Sequence, residues 1–183
     1  MVADSPCFRS VCGSADAVTE TESNFLKLTA PAAIASQAAT GVPASITIAQ
    51  AILESGWGKS VPPDSDNYFG IKAAHFVAPD QYVEAVTHEY VHGQLVTETD
   101  KFARFYSIAA GFTAHGFLLS QAPRYAPAMA VRSDPAKFAA ELQSCGYSTN
   151  PNYASLLMQI VNEFDLAQYD AQNATQANPQ PAA

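Results

Sequence analysis

The chain has 183 residues, of which 48% are hydrophobic, 10% aromatic and 14% charged. That is the length of about one domain and the composition of a globular protein able to bury a core, so global disorder is excluded and two packed domains are not expected. Nine Lys and Arg against 17 Asp and Glu give a formal charge of −8 without a polybasic cluster, which argues against a nucleic-acid binder.

Residues 1–23 are rich in Ser, Ala, Thr and acidic side chains with no sustained period, and read as an N-terminal arm. Met1 to Arg9 shows no secretory signal pattern. Cysteines at 7, 12 and 145 cannot all pair within one chain. Cys7 and Cys12 suit closure of a small loop in an oxidising compartment, and Cys145 suits a buried thiol. Residues 24–167 form the compact unit. A first helix is predicted from Pro31, tolerated in a first turn, to Thr40 before Gly41. A second follows Ser45 as N-cap, carries Ile46, Ala49, Ile52 and Leu53 at helical spacing, and ends at Glu54 before Ser-Gly-Trp-Gly. From Gln81 to Phe105 the run of Tyr, Val and Thr, interrupted at Gly93, predicts a β-hairpin. Three more helices are predicted: Ser107 to about Ser120, Pro135 to Cys145 with Asp134 as cap and Gly146 as stop, and Pro151 to Leu166 after Asn150. Residues 168–183 are Ala, Gln, Asn and Pro with little to bury and read as a disordered tail. No apolar run approaches the ~20 residues of a membrane span, so membrane insertion is not expected. The fold class is α+β, mainly α, with a small β lobe that leaves a cleft against the helices.

The sharpest chemical signal is Ala49-Gln50-Ala51-Ile52-Leu53-Glu54-Ser55-Gly56-Trp57-Gly58-Lys59, followed by Asn67-Tyr68-Phe69-Gly70-Ile71-Lys72. A carboxylate at a helix C-terminus faces the negative end of the dipole, a setting that favours its protonated form and suits a general acid. Trp57 offers an apolar wall and a stacking surface for a sugar ring. The plainer alternative makes Glu54 a solvated helix-end residue and Trp57 a core anchor.

His88-Glu89-Tyr90-Val91-His92 is a literal zinc-protease signature. That chemistry needs a helix, where positions i and i+4 share a face. On a strand, four residues extend roughly 13 Å, too far for both imidazoles to hold one ion. No metal site is therefore expected. His75 and His115 are isolated, His115 in a helical pattern that suits a hydrogen-bonded packing role.

Both the Ala-Gln-Ala-x-x-Glu-Ser-x-Trp-Gly and Asn-x-Phe-Gly-x-Lys segments resemble glycoside hydrolase family 73, the flagellar and autolysin-type endo-β-N-acetylglucosaminidases. The resemblance continues through Thr87-His88-Glu89-Tyr90-Val91-His92-Gly93, Phe102-Ala103-Arg104-Phe105-Tyr106-Ser107 and Arg124-Tyr125-Ala126, and closes with 142–154, covering about Phe25 to Leu166. Ser148 and Asn150 stand where Ala and Asp are commoner in that closing motif. The resemblance implies a lysozyme-like fold and a cofactor-free peptidoglycan hydrolase that cuts the β-1,4 bond between N-acetylglucosamine and N-acetylmuramic acid. Glu54 matches the catalytic acid and Glu89 the hairpin carboxylate proposed as general base, with Glu84 or Glu98 as alternatives. The substrate's N-acetyl group is an alternative nucleophile, which Tyr147, matching a tyrosine of the active site, would position or polarise. Trp57, Asn67, Tyr68, Phe69 and Tyr153 are the expected substrate-binding residues, with Trp57, Tyr68, Tyr147 and Tyr153 stacking on sugar faces. Asn67, Tyr68 and Phe69 alternatively build the cleft floor. The partner is the peptidoglycan glycan strand, with a protein partner reachable through the arm or tail, and the place of action is the periplasm, the cell wall or outside the cell. An autolysin, a phage lysin and an antibacterial effector would look alike in these residues. An N-acetylmuramidase on the same fold and a non-catalytic wall-binding module remain the alternatives.

Overall fold

The computed structural model describes residues 18–73, 79–91 and 94–170. Helix α1 (Glu20–Thr40) opens on a capping box: Thr19 Oγ1 accepts from the Glu22 amide at 3.3 Å, and the Glu22 carboxylate accepts from the Thr19 amide at 2.8 Å. It therefore begins in the expected arm rather than at Pro31, which sits in the helix interior. An internal proline removes a hydrogen bond and strains the turn by about 3 kcal/mol. The buried face of Phe25, Leu26, Thr29, Ala30, Ala32 and Ala33 runs through it and outweighs that strain.

Helix α2 (Ala44–Ser55) is buried at every position from Ala44 to Ile52, which makes it the central rod of the domain. The expected cap, Ser45, lies inside the helix and is itself buried, with Pro43 at the N-cap. The first amides are capped from elsewhere in the fold: Ala44 donates to Gln37 Oε1 at 2.8 Å and Ser45 to Asp170 Oδ1 at 2.9 Å. Asp170 belongs to a helical turn at 167–170, so residues 168–170 are not part of a structureless tail.

The C-terminal end of α2 reverses sharply because Gly56 and Trp57 both adopt the left-handed conformation, φ 56° and 62°. For a non-glycine residue this costs about 1–2 kcal/mol. Ser55 offsets it, donating through Oγ to the Ala51 carbonyl at 2.6 Å and accepting from the Gly58 amide at 2.8 Å. The half-buried Trp57 ring is wedged edge-on between Phe25 and Phe164, at centroid distances of 5.4 and 4.8 Å.

Strands β1 (Tyr82–Val91) and β2 (Gln94–Ala103) pair antiparallel from Tyr82↔Ala103 to Val91↔Gln94. Residues 88–91 are thus strand, as expected; His92, Gly93 and His75 lie outside the described residues. Thr87 and Phe102 are buried while Val86, of opposite parity, is 66% exposed. The hairpin root is tied to the helical body by Ala103 N–H to the Ile71 carbonyl and Ala73 N–H to the Lys101 carbonyl, both 2.8 Å, and by a Lys72–Asp100 ion pair at 2.6 Å.

Helix α3 (Ile108–Gln121) lies within a residue or two of the predicted Ser107–Ser120 span, with Ser107 as its N-cap. A short turn at Pro123–Tyr125 and helix α4 (Ala126–Ala130), neither anticipated from sequence, lead to α5 (Pro135–Ser144), capped by Asp134. Cys145 caps α5 and is half-buried where a buried thiol was expected; Cys7 and Cys12 lie outside the described residues. Helix α6 (Tyr153–Glu163) starts later than Pro151 because Asn150 Oδ1 accepts from the Asn152 amide at 2.9 Å and holds a turn there. The architecture is a helical domain with a small two-stranded sheet, as the sequence reading expected.

Gly111, near the start of α3, sits where an added Cβ would stand 2.6 Å from the Asp66 carbonyl oxygen and 3.2 Å from the Phe105 ring. In an open helix Gly→Ala gains about 1 kcal/mol. Here Gly111→Ala is expected to lose about 1–3 kcal/mol, seen as a lower urea midpoint at unchanged slope.

Candidate functional site

Glu54 leaves the last turn of α2 half-buried, one turn beyond Gln50, so both side chains share a face of the central rod. Tyr153, the first residue of α6, reaches that face. Its hydroxyl accepts from Gln50 Nε2 at 2.9 Å and donates to Glu54 Oε1 at 3.3 Å. One phenol therefore bridges two positions of α2 and fixes one oxygen of the carboxyl.

Tyr147 enters from the turn after α5. Its amide donates to the Leu142 carbonyl at 3.0 Å, and Arg124 clasps the same turn by donating to the carbonyls of Cys145, at 2.8 Å, and Gly146. The ring stacks on Tyr153 at 5.4 Å and 26°, and its hydroxyl lies 3.1 Å from His115 Nε2. His115, on α3, stacks in turn on Phe69 at 3.9 Å and 10°. The result is a continuous run of ring contacts, Phe69, His115, Tyr147 and Tyr153, ending at Glu54.

Burial drives the electrostatics. It holds the His115 imidazole down to about 3, so the ring is neutral across the physiological range. It pushes the Tyr147 and Tyr153 hydroxyls well above their ordinary value; the Glu54 charge raises both further, and at Tyr153 the neighbouring Tyr147 does too. Both phenols keep their protons and serve as donors.

The structure brings together Glu54, Tyr147 and Tyr153 of the residues singled out from sequence. It alters what the aromatic ones offer. Tyr153, Tyr147 and Tyr68 are 2%, 5% and 9% exposed, so their faces are covered by neighbouring protein rather than open to a sugar ring. Phe69 is fully buried, and the Asn67 amide is engaged by the Ile71 carbonyl, the Ala103 carbonyl and the Ile71 N–H at 2.8, 2.9 and 3.0 Å. Asn67 and Phe69 thus form the floor that joins the loop to β2. Trp57 serves as a half-buried wedge between Phe25 and Phe164.

Glu89 lies on β1 paired with Val96. Glu84 pairs with Lys101, and Glu98 faces Thr87 across the ladder. Gln50 was missed as a site residue, although its place four residues before Glu54 on a helix was a readable signal. The contact between His115 and Tyr147 had no such signal, since α3 and the turn after α5 meet only in the fold. Among the described residues no group of three His, Cys, Asp or Glu gathers as a metal cage.

Residues 30–166 match the family described as Mannosyl-glycoprotein endo-beta-N-acetylglucosaminidase. The chain is 36% identical over 143 residues to the peptidoglycan hydrolase FlgJ of Salmonella typhimurium, covering 75% of this chain and 44% of that protein. It is 33% identical over 135 residues to the exo-glucosaminidase LytG of Bacillus subtilis, covering 70% and 46%. Among solved structures, a peptidoglycan hydrolase mutant from Sphingomonas sp. A1 superposes with a TM-score of 0.68 at 37% identity, over 81% of this chain and 98% of that one. The chain spans less than half the length of these two curated relatives.

The buried His115 makes stability depend on pH. Between about 3 in the native state and 6.5 in the unfolded chain, the unfolded state holds a proton the native state does not, so stability falls as pH drops through that window. The slope approaches about 1.4 kcal/mol per pH unit. Urea titrations at pH 6 and pH 4 should show a loss smaller by about 2–3 kcal/mol in His115→Phe than in the wild type; equal losses would count against a neutral buried imidazole.

Proposed function

The chain belongs to the glucosaminidase family of glycoside hydrolases, and from that premise we propose that it hydrolyses the β-1,4 bond between N-acetylglucosamine and N-acetylmuramic acid in peptidoglycan, with Glu54 as general acid. The observation that carries this reading is the mounting of Glu54: a carboxyl at the end of a helix buried from Ala44 to Ile52, one oxygen held by the Tyr153 hydroxyl. A group fixed in this way delivers its proton along one direction, which is where much of the advantage of an enzymic acid lies.

In the proposed reaction the Glu54 proton passes to the glycosidic oxygen as its bond to C1 of N-acetylglucosamine breaks, freeing the 4-hydroxyl of N-acetylmuramic acid. Water adds at C1 and gives up a proton to a second carboxylate. Two carboxyls on opposite sides of the bond, about 6.5–9.5 Å apart, leave room for that water. Glu89 fills the second role. The match of the segment from Thr87 to Gly93 to the family supports this assignment over Glu84 and Glu98. Glu98, exposed and paired with Thr87 across the ladder, is the control residue.

A second route has its own support in Tyr147, whose hydroxyl lies within the electrostatic reach of Glu54. In that route the acetamido oxygen of the substrate attacks C1, and Tyr147 orients the group. The two routes differ in product stereochemistry: water addition by a base inverts the anomeric centre, and acetamido attack retains it.

Peptidoglycan lies outside the cytoplasmic membrane, so the proposed action is in the periplasm, at the wall or beyond it. No described helix is long and apolar enough to cross a membrane.

The test is digestion of purified peptidoglycan, borohydride reduction and mass spectrometry of the reducing ends. Wild type should release glucosaminitol ends, and Glu54→Gln should lower the rate by about 10²–10⁴-fold with folding intact. Glu89→Gln should be severely impaired and Glu98→Gln close to wild type. Muramitol ends would overturn the bond assignment, and an active Glu54→Gln would overturn the role of Glu54.

A further inference from the structure

His115 is 1% exposed and its Nδ1 has no hydrogen-bond partner among the described residues, while Nε2 meets the Tyr147 hydroxyl at 3.1 Å. A neutral imidazole carries one N–H, and the two tautomers have different consequences. With the proton on Nδ1, a buried N–H is left without an acceptor and the Tyr147 O–H is consumed by Nε2. With the proton on Nε2, that N–H is satisfied by the phenol oxygen and only a lone pair on Nδ1 is unmet. Buried N–H groups without partners are the rarer and costlier defect. The π-stack of His115 on Phe69 fixes the ring plane, so the choice of tautomer also fixes the direction of the bond.

We infer that His115 is a positioning residue, protonated on Nε2, which donates to the Tyr147 oxygen and thereby turns the Tyr147 O–H away from α3 toward the side of Glu54, as a donor for the acetamido carbonyl of the bound sugar. The inference rests on the glucosaminidase reading for the identity of the acceptor, and on this chain's own geometry for the direction of the donor. A phenol that accepts one hydrogen bond donates a stronger one, because the two bonds polarise each other. The stack of Tyr147 on Tyr153, whose hydroxyl is already committed to Glu54, keeps the two phenols in a fixed mutual orientation.

Two measurements test it. In the wild-type full-length chain at pH 7, ¹⁵N NMR of the His115 ring should show Nε2 protonated and Nδ1 bare; a proton on Nδ1 overturns the inference whatever the enzyme does. In kinetics on a soluble N-acetylglucosamine oligomer and on peptidoglycan, His115→Phe should lower kcat about 10-fold with KM nearly unchanged. His115→Gln, which restores an N–H near the Nε2 position, should recover most of that loss. In a Tyr147→Phe background the His115→Phe change should have no further effect on kcat. An equal loss in that background would mean that His115 acts through packing alone, and wild-type activity in Tyr147→Phe would remove the donor from the reaction; either overturns the inference. Failure of the glucosaminidase reading would show separately, as absent glucosaminitol ends from the wild type alongside an unchanged ¹⁵N result.

Discussion

The placement of Glu54 depends on one phenolic hydroxyl. Tyr153 is the first residue of α6, and through its oxygen it joins Gln50 and Glu54, two positions one turn apart on α2. Two helices distant in the chain are thereby locked at the point where α2 ends. A carboxyl there would otherwise swing with the reversal at Gly56 and Trp57. The Gln50 half of the bridge is buried and the Glu54 half partly so, which shields it from competing water more than a surface hydrogen bond is shielded.

The surrounding structure keeps that bridge in place. At one end of α2, the first amides are capped by Gln37 from α1 and by Asp170 from the last helical turn, so the rod cannot fray where it begins. At the other, Ser55 closes the left-handed reversal and Trp57 wedges it between Phe25 and Phe164. Arg124 holds the turn that carries Tyr147 against Tyr153. The hairpin is anchored to the helical body through Asn67 and the segment to Lys72.

The sequence disclosed elements whose determinants are local. Ser107 and Asp134 cap their helices, and Gly41, Gly56 and Gly146 adopt the left-handed turns that end or follow helices where expected. It misled where distant contacts decide. Pro31 marks a helix start by propensity, yet the apolar face from Phe25 onward carries α1 through it. Ser45 has the right chemistry for a cap, but Gln37 and Asp170 take that role and Ser45 is buried. The site followed the same division. Glu54 and its turn were legible from spacing, and Tyr147 and Tyr153 from a family resemblance. The covering of their ring faces was not legible, because an aromatic residue near a cleft reads alike whether its face meets a ligand or another ring. Gln50 was readable from helical spacing; the pairing of His115 with Tyr147 exists only once α3 packs beside the turn after α5.

The most direct measurement of the central claim is steady-state kinetics of Tyr153→Phe on peptidoglycan, accompanied by its thermal denaturation. The account predicts a folded protein with kcat reduced about 10- to 100-fold and KM little changed, because the acid is still present but no longer held in line. A folded Tyr153→Phe with wild-type kcat would contradict it, and would show that Glu54 needs no such support.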